Sequence, residues 1–204
     1  MGKPTSIILI RHGETEYTRV HRIHGSTDAS LTDKGLAAAR KTADHFRGQT
    51  IDAIYSSPLG RAMKTAKIIG EAIARTPVPE AGLEERGYGW LEGKPMKLFE
   101  PDFSGPKIFL PYVKFALKQS GEDSDTFLQR VTTAFDRIAN DHSGQRVMLV
   151  THWMPISVIY LHATGQDAQR YRSMGPWTAC GICEFKGDPR NWEIIQLNAD
   201  GHLS

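Results

Sequence analysis

The order of hydrophobic and polar positions along the chain predicts alternating strands and helices. Four consecutive large apolar residues, Ile7 to Ile10, are typical of a buried strand, and Arg146 to Thr151 has the same character. A shorter strand is predicted from Ile51 to Tyr55, and two more near residues 179–185 and 192–197. These strands are separated by segments long enough to hold helices.

Helices are predicted between the strands from apolar stripes and helix-end signals. Thr32 is expected to cap a helix from Asp33 to about Phe46, and Ser57 with Pro58 to open one that reaches about Arg75. Two more are expected over about 124–140 and 154–162. This alternation predicts an α/β fold with three layers, α/β/α, and a mainly parallel central sheet. We expect residues 1–204 to form one domain.

The segment from about 94 to 121 breaks the alternation. It contains four prolines among five aromatic residues, which excludes one regular helix and argues against disorder. We interpret it as a small helical or loop insertion, a lid that caps the site and selects the substrate. Its basic and aromatic later part is also compatible with contact to a membrane surface, the less common use of such a segment.

Charge and cysteine content narrow the possible partners. The net charge of +2 is nearly balanced, so neither nucleic acid nor a membrane is an expected partner. Without a membrane-spanning run or a signal peptide, the sequence predicts a cytoplasmic protein.

Cys180 and Cys183 form a C-x-x-C pair, which suggests redox or zinc chemistry. The pair lies in a predicted strand, however, and no second pair completes a zinc site, which favours two reduced, partly buried cysteines.

Charged and imidazole side chains stand where the two apolar strands end. Arg11, His12 and Gly13 follow the first strand, and His152 follows the second. An Arg-His pair after a strand is also compatible with a solvated turn, but its repetition favours a site. If the strands are neighbours, both imidazoles emerge at one edge of the sheet, beside the start of the helix that carries Arg61. Two histidines, two arginines and a helix N-terminus would bind phosphate.

The same segments resemble the histidine phosphatase superfamily, in its phosphoglycerate-mutase-like branch. The similarity spans about residues 6–93 and 122–162, and several short blocks follow one another in the family's order. These blocks are Leu9 to Thr15, Arg22 to Gly25, Leu31 to Gly35, Ser56 to Ala62, Leu83 to Glu85, Glu92 with Gly93, and Val150 to His152.

The resemblance implies a role for each matching residue. His12 would take the phosphoryl group as a phosphohistidine, and Glu85, rather than the adjacent Glu84, would be the proton donor. The residues that would hold the phosphoryl oxygens are Arg11, Arg22, Arg61 and His152. No metal or other cofactor is implied. Because an ordinary glutamate, with a pKa of about 4.3, is mostly ionised at neutral pH, Glu85 should have a raised pKa or the enzyme should prefer mildly acidic conditions.

Departures from the family pattern identify candidate substrate-binding residues. Thr18 stands where many members have asparagine, His24 replaces a glutamine just before Gly25, and Trp153 replaces a glycine after the second histidine. We expect five residues to contact the substrate: Arg22, Thr18, His24, Gly25 and Trp153. Trp153 would either stack on the substrate or fill a gap beside the insertion.

Several functions remain open at this point. The favoured one is a phosphomonoesterase that hydrolyses a small phosphorylated metabolite. A cofactor-dependent phosphoglycerate mutase is the alternative within the family, disfavoured because the chain is short. A catalytically inactive module that binds a phosphate ligand is the alternative from another class. A metal hydrolase would use His12, His21, His24 and His152, which lack standard ligand spacing. The sequence leaves the oligomeric state and the natural substrate open.

Overall fold

Among the described residues, six β-strands form one sheet at the centre of the fold. In the computed structural model, which describes residues 3–99, 121–188 and 191–204, the sheet order is β3-β2-β4-β1-β5-β6. The strands are β1 (Thr5–Arg11), β2 (Ala53–Ser56), β3 (Val78–Pro79), β4 (Arg146–Thr151), β5 (Ile182–Asp188) and β6 (Asn191–Ala199). Strands β1 to β4 run parallel, and β5 and β6 add an antiparallel edge. The predicted mainly parallel sheet is confirmed.

Helices cover both faces of this sheet. The α-helices are α1 (Glu16–Arg19), α2 (Asp33–Phe46), α3 (Gly60–Ala72), α4 (Ser124–Asp141) and α5 (Trp153–Ala163). Alternate residues of β1 point to opposite faces. Ile7 and Leu9 pack in the core formed with α4 and α5, whereas Ile8 and Ile10 pack with α2 and α3. The predicted three-layer architecture is therefore confirmed, and the uninterrupted apolar run of β1 is explained by burial on both sides.

Two local predictions are wrong. Helix α3 begins at Gly60 with Leu59 at its N-cap and no side-chain cap, so Ser57 and Pro58 precede the helix instead of opening it. Cys180 is not in a strand: its φ of 61° places it in a left-handed turn just before β5. Both Cys180 and Cys183 are free thiols, and they are buried rather than partly buried.

The loop after β1 lies unusually close to the first turn of α2. The side chain of Thr32 caps α2 by accepting from the N–H of Gly35, as predicted, and the Thr32 N–H donates to the carbonyl of Glu14 at 2.9 Å. A Cβ on Gly13 would lie 2.7 Å from the Gly35 carbonyl oxygen, and one on Gly35 would overlap the Glu14 carbonyl. Glycine is required at both positions because backbone meets backbone there.

Most of the predicted insertion lies outside the described residues. Its first part includes a short 3-10 helix, Met96–Phe99, and its last residue, Gly121, precedes the first residue of α4 by three positions. The expectation of a lid therefore stays a prediction. None of the helices in the described ranges is long and apolar enough to cross a membrane.

Candidate active site

The pairing of β1 with β4 brings His12 and His152 together. Ile10 pairs with Val150 in parallel register, and each histidine comes directly after its strand. The two imidazole centroids lie 5.0 Å apart. The expectation that the two apolar strands are neighbours with both imidazoles at one edge is correct.

The position of the His12 ring fixes which nitrogen is free. Its Nδ1 lies 2.8 Å from the carbonyl oxygen of Gly13, and a carbonyl can only accept, so Nδ1 carries the proton. Burial, reinforced by the charges of Arg61 and Arg11, lowers the pKa of His12 well below its ordinary value. His12 is therefore a neutral imidazole near neutral pH, and its Nε2 has a free lone pair.

Three buried donors around these histidines have no partner. Across the described part of the chain, the buried side-chain nitrogens or oxygens that lack a hydrogen bond are Arg11 Nε, Arg61 Nε and His152 Nδ1. A buried unpaired polar atom costs about 1–3 kcal/mol, so three in one place need an explanation. Arg61 donates to the carbonyl of Gly25, which lines the same cavity as Arg11 and His12, and the His152 ring lies 5.0 Å from that of His12. An anion with several acceptor oxygens would satisfy them.

Backbone carbonyls hold the guanidinium groups of both arginines. Arg61 is buried and donates from Nη1 to Thr27 at 2.9 Å and from Nη2 to Gly25 at 2.8 Å. Arg11 donates from Nη1 to Trp177 at 2.6 Å. In each guanidinium, Nε is a buried nitrogen that these bonds leave without a partner. The helix dipole contributes less than expected, because the carboxylate of Asp28 accepts from the Arg61 N–H at the start of α3.

His152 is oriented by a residue that the sequence analysis assigned to a helix cap. Its Nε2 lies 2.8 Å from the hydroxyl of Ser57, which follows β2, the other neighbour of β4. Burial lowers the pKa of His152 well below its ordinary value. When the Ser57 hydroxyl donates to Nε2, the neutral ring carries its proton on Nδ1, the atom that has no partner. The sequence offered no signal for this contact, because it joins two strand ends 95 residues apart.

Of the adjacent pair Glu84 and Glu85, Glu85 reaches the cavity. Glu85 is buried in the wall of the cavity that also exposes His12 and Arg11. Burial raises the pKa of the Glu85 carboxyl, although the N–H of Arg86, which donates at 2.9 Å, and the charge of Arg61 oppose this effect. An acid kept protonated above the ordinary range can donate a proton within the cavity.

The predicted substrate-binding residues fall into two groups. His24, Gly25 and Trp153 line the cavity, whereas Thr18 and Arg22 do not. Thr18 contacts the Thr15 hydroxyl, which is 2.5 Å from His24 Nε2. Burial, with the charges of Arg61 and Arg11, lowers the pKa of His24 to about 3.

Trp153 lines the cavity and Arg22 does not, and each makes a contact that the sequence did not predict. Trp153 donates from Nε1 to the Met174 carbonyl at 2.9 Å, and its ring lies 5.1 Å from the Arg11 guanidinium. It therefore supports Arg11 besides lining the cavity. Arg22 is exposed and donates to the Gly93 carbonyl at 2.6 Å, outside the cavity wall.

Comparison with known proteins agrees with this geometry. The sequence profile described as "Histidine phosphatase superfamily (branch 1)" matches residues 7–200. The chain belongs to the histidine phosphatase superfamily. A relative from Yersinia pestis, named "Probable phosphoglycerate mutase GpmB", is 30% identical over 208 residues, which cover 94% of this chain and 97% of the relative.

Solved structures of the superfamily share the fold over almost the whole chain. YhfR from Bacillus stearothermophilus is 24% identical with a TM-score of 0.82, covering 98% of this chain and 100% of that one. A mutant phosphoserine phosphatase from Entamoeba histolytica, in complex with phosphoserine, is 26% identical with a TM-score of 0.79 and the same coverage. The resemblance seen in the sequence motifs is thereby confirmed.

This histidine phosphatase superfamily member has a cavity of about 750 Å³ beside His12, a size suited to a small molecule. The residues of its wall that the sequence did not single out include Arg86, Tyr88 and Arg172, with Glu122, Asp123, Ser124 and Met154. Arg86 and Tyr88 directly follow the Glu85 block, so that block could have identified them. Arg172 lies in the 3-10 helix Ala168–Ser173, where the sequence carries no such signal. The described residues contain no group of three or more His, Cys, Asp or Glu side chains arranged to hold a metal ion.

Proposed function

We propose that the protein is a phosphomonoesterase that hydrolyses a small phosphorylated metabolite through a phosphohistidine on His12. The observation that carries the proposal is the set of three unpartnered buried donors beside a neutral histidine with a free Nε2. Phosphoryl transfer spreads negative charge over the equatorial oxygens, so fixed donors around the phosphorus are the main catalytic requirement. Arg11, Arg61 and His152 would supply them.

The proposed reaction has two balanced steps. His12 Nε2 attacks phosphorus, the bond to the ester oxygen breaks, and the departing oxygen takes the proton of Glu85. Water then attacks the phosphohistidine, gives a proton to the Glu85 carboxylate, and the nitrogen–phosphorus bond breaks to release phosphate. His12 and Glu85 thereby return to their starting states. The two steps use these two side chains and one water molecule.

A phosphoglycerate mutase is the second candidate, favoured by the name of the Yersinia relative. That relative matches this chain over 97% of its own length, so the short chain no longer argues against a mutase. The phosphoserine phosphatase, covered over its full length at 26% identity, supports the hydrolase. Both functions share the first step and differ in whether water or a second alcohol accepts the phosphoryl group.

The test is phosphate release in the presence of a chelator from a panel of sugar phosphates, phosphoglycerates, phosphoserine, nucleotides and p-nitrophenyl phosphate. We expect hydrolysis that falls by about 10⁴-fold or more in His12→Ala, because the nucleophile is lost. His21→Ala is a matched control, since His21 is exposed and absent from the cavity wall, and it should retain wild-type activity.

Other outcomes point to the alternatives. Interconversion of phosphoglycerates without phosphate release would favour the mutase. No turnover in either assay, together with phosphate binding, would favour an inactive binding module, and loss of hydrolysis on chelation would favour metal chemistry.

A further inference from the structure

The backbone just before Glu85 is held by side chains as well as by one turn of 3-10 helix, Ala81–Leu83. The carbonyls of Gly82, Leu83, Glu84 and Glu85 each accept a hydrogen bond from a side chain. Thr151 Oγ1 donates to Leu83 at 2.6 Å, and Arg130 supplies the other three bonds. Since Thr151 immediately precedes His152, one end of this segment is tied directly to the histidine strand.

Arg130 uses all five of its N–H donors at this place. From α4 its Nη1 donates to Gly82 and Glu84 at 3.1 and 2.9 Å, and its Nη2 donates to Glu85 at 3.0 Å. The remaining donors bind both carboxylate oxygens of Glu122, with Nε at 2.6 Å and Nη2 at 2.9 Å. A guanidinium holds a geometry of this kind because its five donors lie in one rigid plane.

Glu122 extends the same connection to the residues after Glu85. Its carbonyl accepts from Nε and Nη2 of Arg86, at 3.2 and 2.9 Å, and its N–H donates to the Gly87 carbonyl at 2.9 Å. The ion pair of Arg130 and Glu122 therefore binds the backbone up to Glu85 on one side and the side chain of Arg86 on the other. The position of the Glu85 carboxyl therefore depends on how firmly these contacts hold its backbone.

We propose that Arg130 is a positioning residue that holds Glu85 at the distance from the scissile ester oxygen needed for proton transfer. The inference rests on the proposed function, in which Glu85 is the acid. All five Arg130 donors are already bonded to this backbone and to Glu122, so Arg130 acts through the backbone of Gly82 to Glu85 and not by contact with substrate. Displacement of a catalytic group by about 1 Å can cost about 100-fold in rate.

The experiment compares two leaving groups in Arg130→Gln and Arg130→Lys. The alkyl substrate is whichever of phosphoserine, 3-phosphoglycerate or a sugar phosphate the wild type hydrolyses fastest, and the aryl substrate is p-nitrophenyl phosphate. We expect Arg130→Gln to lower kcat/KM about 10- to 100-fold for the alkyl substrate but less than about threefold for the aryl one, which scarcely needs an acid. Arg130→Lys keeps the charge beside Glu122 but loses the planar arrangement of donors. Its loss of kcat/KM on the alkyl substrate should lie between that of wild type and that of Arg130→Gln.

Arg137→Gln is the matched control. Arg137 lies on the same helix and pairs with Glu80, just before the same segment, but it does not touch the Glu85 backbone. Its ratio of alkyl to aryl activity should equal that of wild type. In a Glu85→Gln background, Arg130→Gln should cost less than about twofold more on the alkyl substrate, because the group it positions is already gone.

The outcomes separate this role from general stability. Equal losses on both substrates that track a lower melting temperature, or full additivity with Glu85→Gln, would overturn the positioning role while leaving the phosphatase intact. If Arg130→Gln does not fold, Arg130→Lys decides the same comparison. A wild-type protein that hydrolyses none of these esters would overturn both the proposed function and this inference.

Discussion

At the scale of single residues, burial shifts the pKa values of Glu85 and His12 in opposite directions. Burial raises the pKa of Glu85 and lowers that of His12, so each is shifted toward its neutral form. The proposed first step needs both neutral forms at once, a protonated acid and an unprotonated nucleophile. Solvent exposure of Glu85 would leave the ionised carboxylate dominant near neutral pH, and exposure of His12 would leave about a quarter of it protonated at pH 7.

These shifts predict a specific pH dependence for kcat/KM. Activity on an alkyl phosphate should be full where Glu85 is protonated and fall as pH rises through its raised pKa. It should fall at low pH only when His12 is protonated, which its lowered pKa moves far into the acidic range. Rates on an alkyl phosphate and on p-nitrophenyl phosphate, measured from about pH 4 to 9, would check this.

Glu85→Gln provides the control for this profile. The alkaline decline on the alkyl substrate should disappear in the variant, whereas the second ionisation of the ester phosphate, with a pKa of about 6, affects both substrates and both proteins. An unchanged alkaline decline in Glu85→Gln would assign that decline to another group.

At the scale of elements, the nucleophile loop depends on the close approach of α2 to the end of β1. Gly13 and Gly35 meet backbone to backbone, and the Gly13 N–H donates to Thr65 Oγ1 of α3 at 3.1 Å. The residue after His12 is therefore held by two helices. Side-chain volume at this contact would separate α2 from the loop.

Gly35→Ala is expected to destabilise the fold by about 1–3 kcal/mol, because the new methyl group overlaps the Glu14 carbonyl. The loss would appear as a lower urea midpoint with an unchanged m-value. Gly201→Ala is the control, since a Cβ there has nothing within 4 Å, and it should change stability by less than about 0.5 kcal/mol. A wild-type midpoint in Gly35→Ala would contradict the proposed role of this contact.

At the scale of the whole molecule, positive charge is concentrated instead of spread over the surface. The net charge is only +2, yet the buried Arg61 and the half-buried Arg11 lie beside the paired histidines at one edge of the sheet. Specific phosphate binding should therefore stabilise the folded protein. A general attraction of anions is not expected from so small a net charge.

Inorganic phosphate at about 100 times its dissociation constant should stabilise the protein by about 2.7 kcal/mol, or roughly 5–10 °C in melting temperature. Arg61→Gln should abolish this shift, because it removes one of the unpartnered donors. Arg75→Gln should retain it, since Arg75 is exposed and donates only to the carbonyls of Asp52 and Ala74. Equal shifts in both variants would place the phosphate elsewhere.

The sequence by itself determined five of the six described strands, four of the five described α-helices and the pairing of His12 with His152. The two-residue strand β3 and the one-turn helix α1 are too short to show a periodic pattern, and they were not predicted. The apolar run of β1 and the repeated histidine after a strand are local patterns, and a parallel sheet leaves few ways to arrange them. The sequence also distinguished Glu85 from Glu84 through the order of the family's blocks. The start of α3 was misplaced because Ser57 and Pro58 are a helix-opening pair by their local preferences alone.

Only the tertiary structure decided what surrounds that pair. The contacts of Ser57 with His152 and of Arg130 with the Glu85 backbone join residues distant in the chain, and no periodicity or spacing encodes them. The position of Arg22 outside the cavity and of Trp153 against Arg11 follows from loop packing. Local sequence fixes what each segment prefers, whereas which polar groups meet depends on how the buried elements pack against one another.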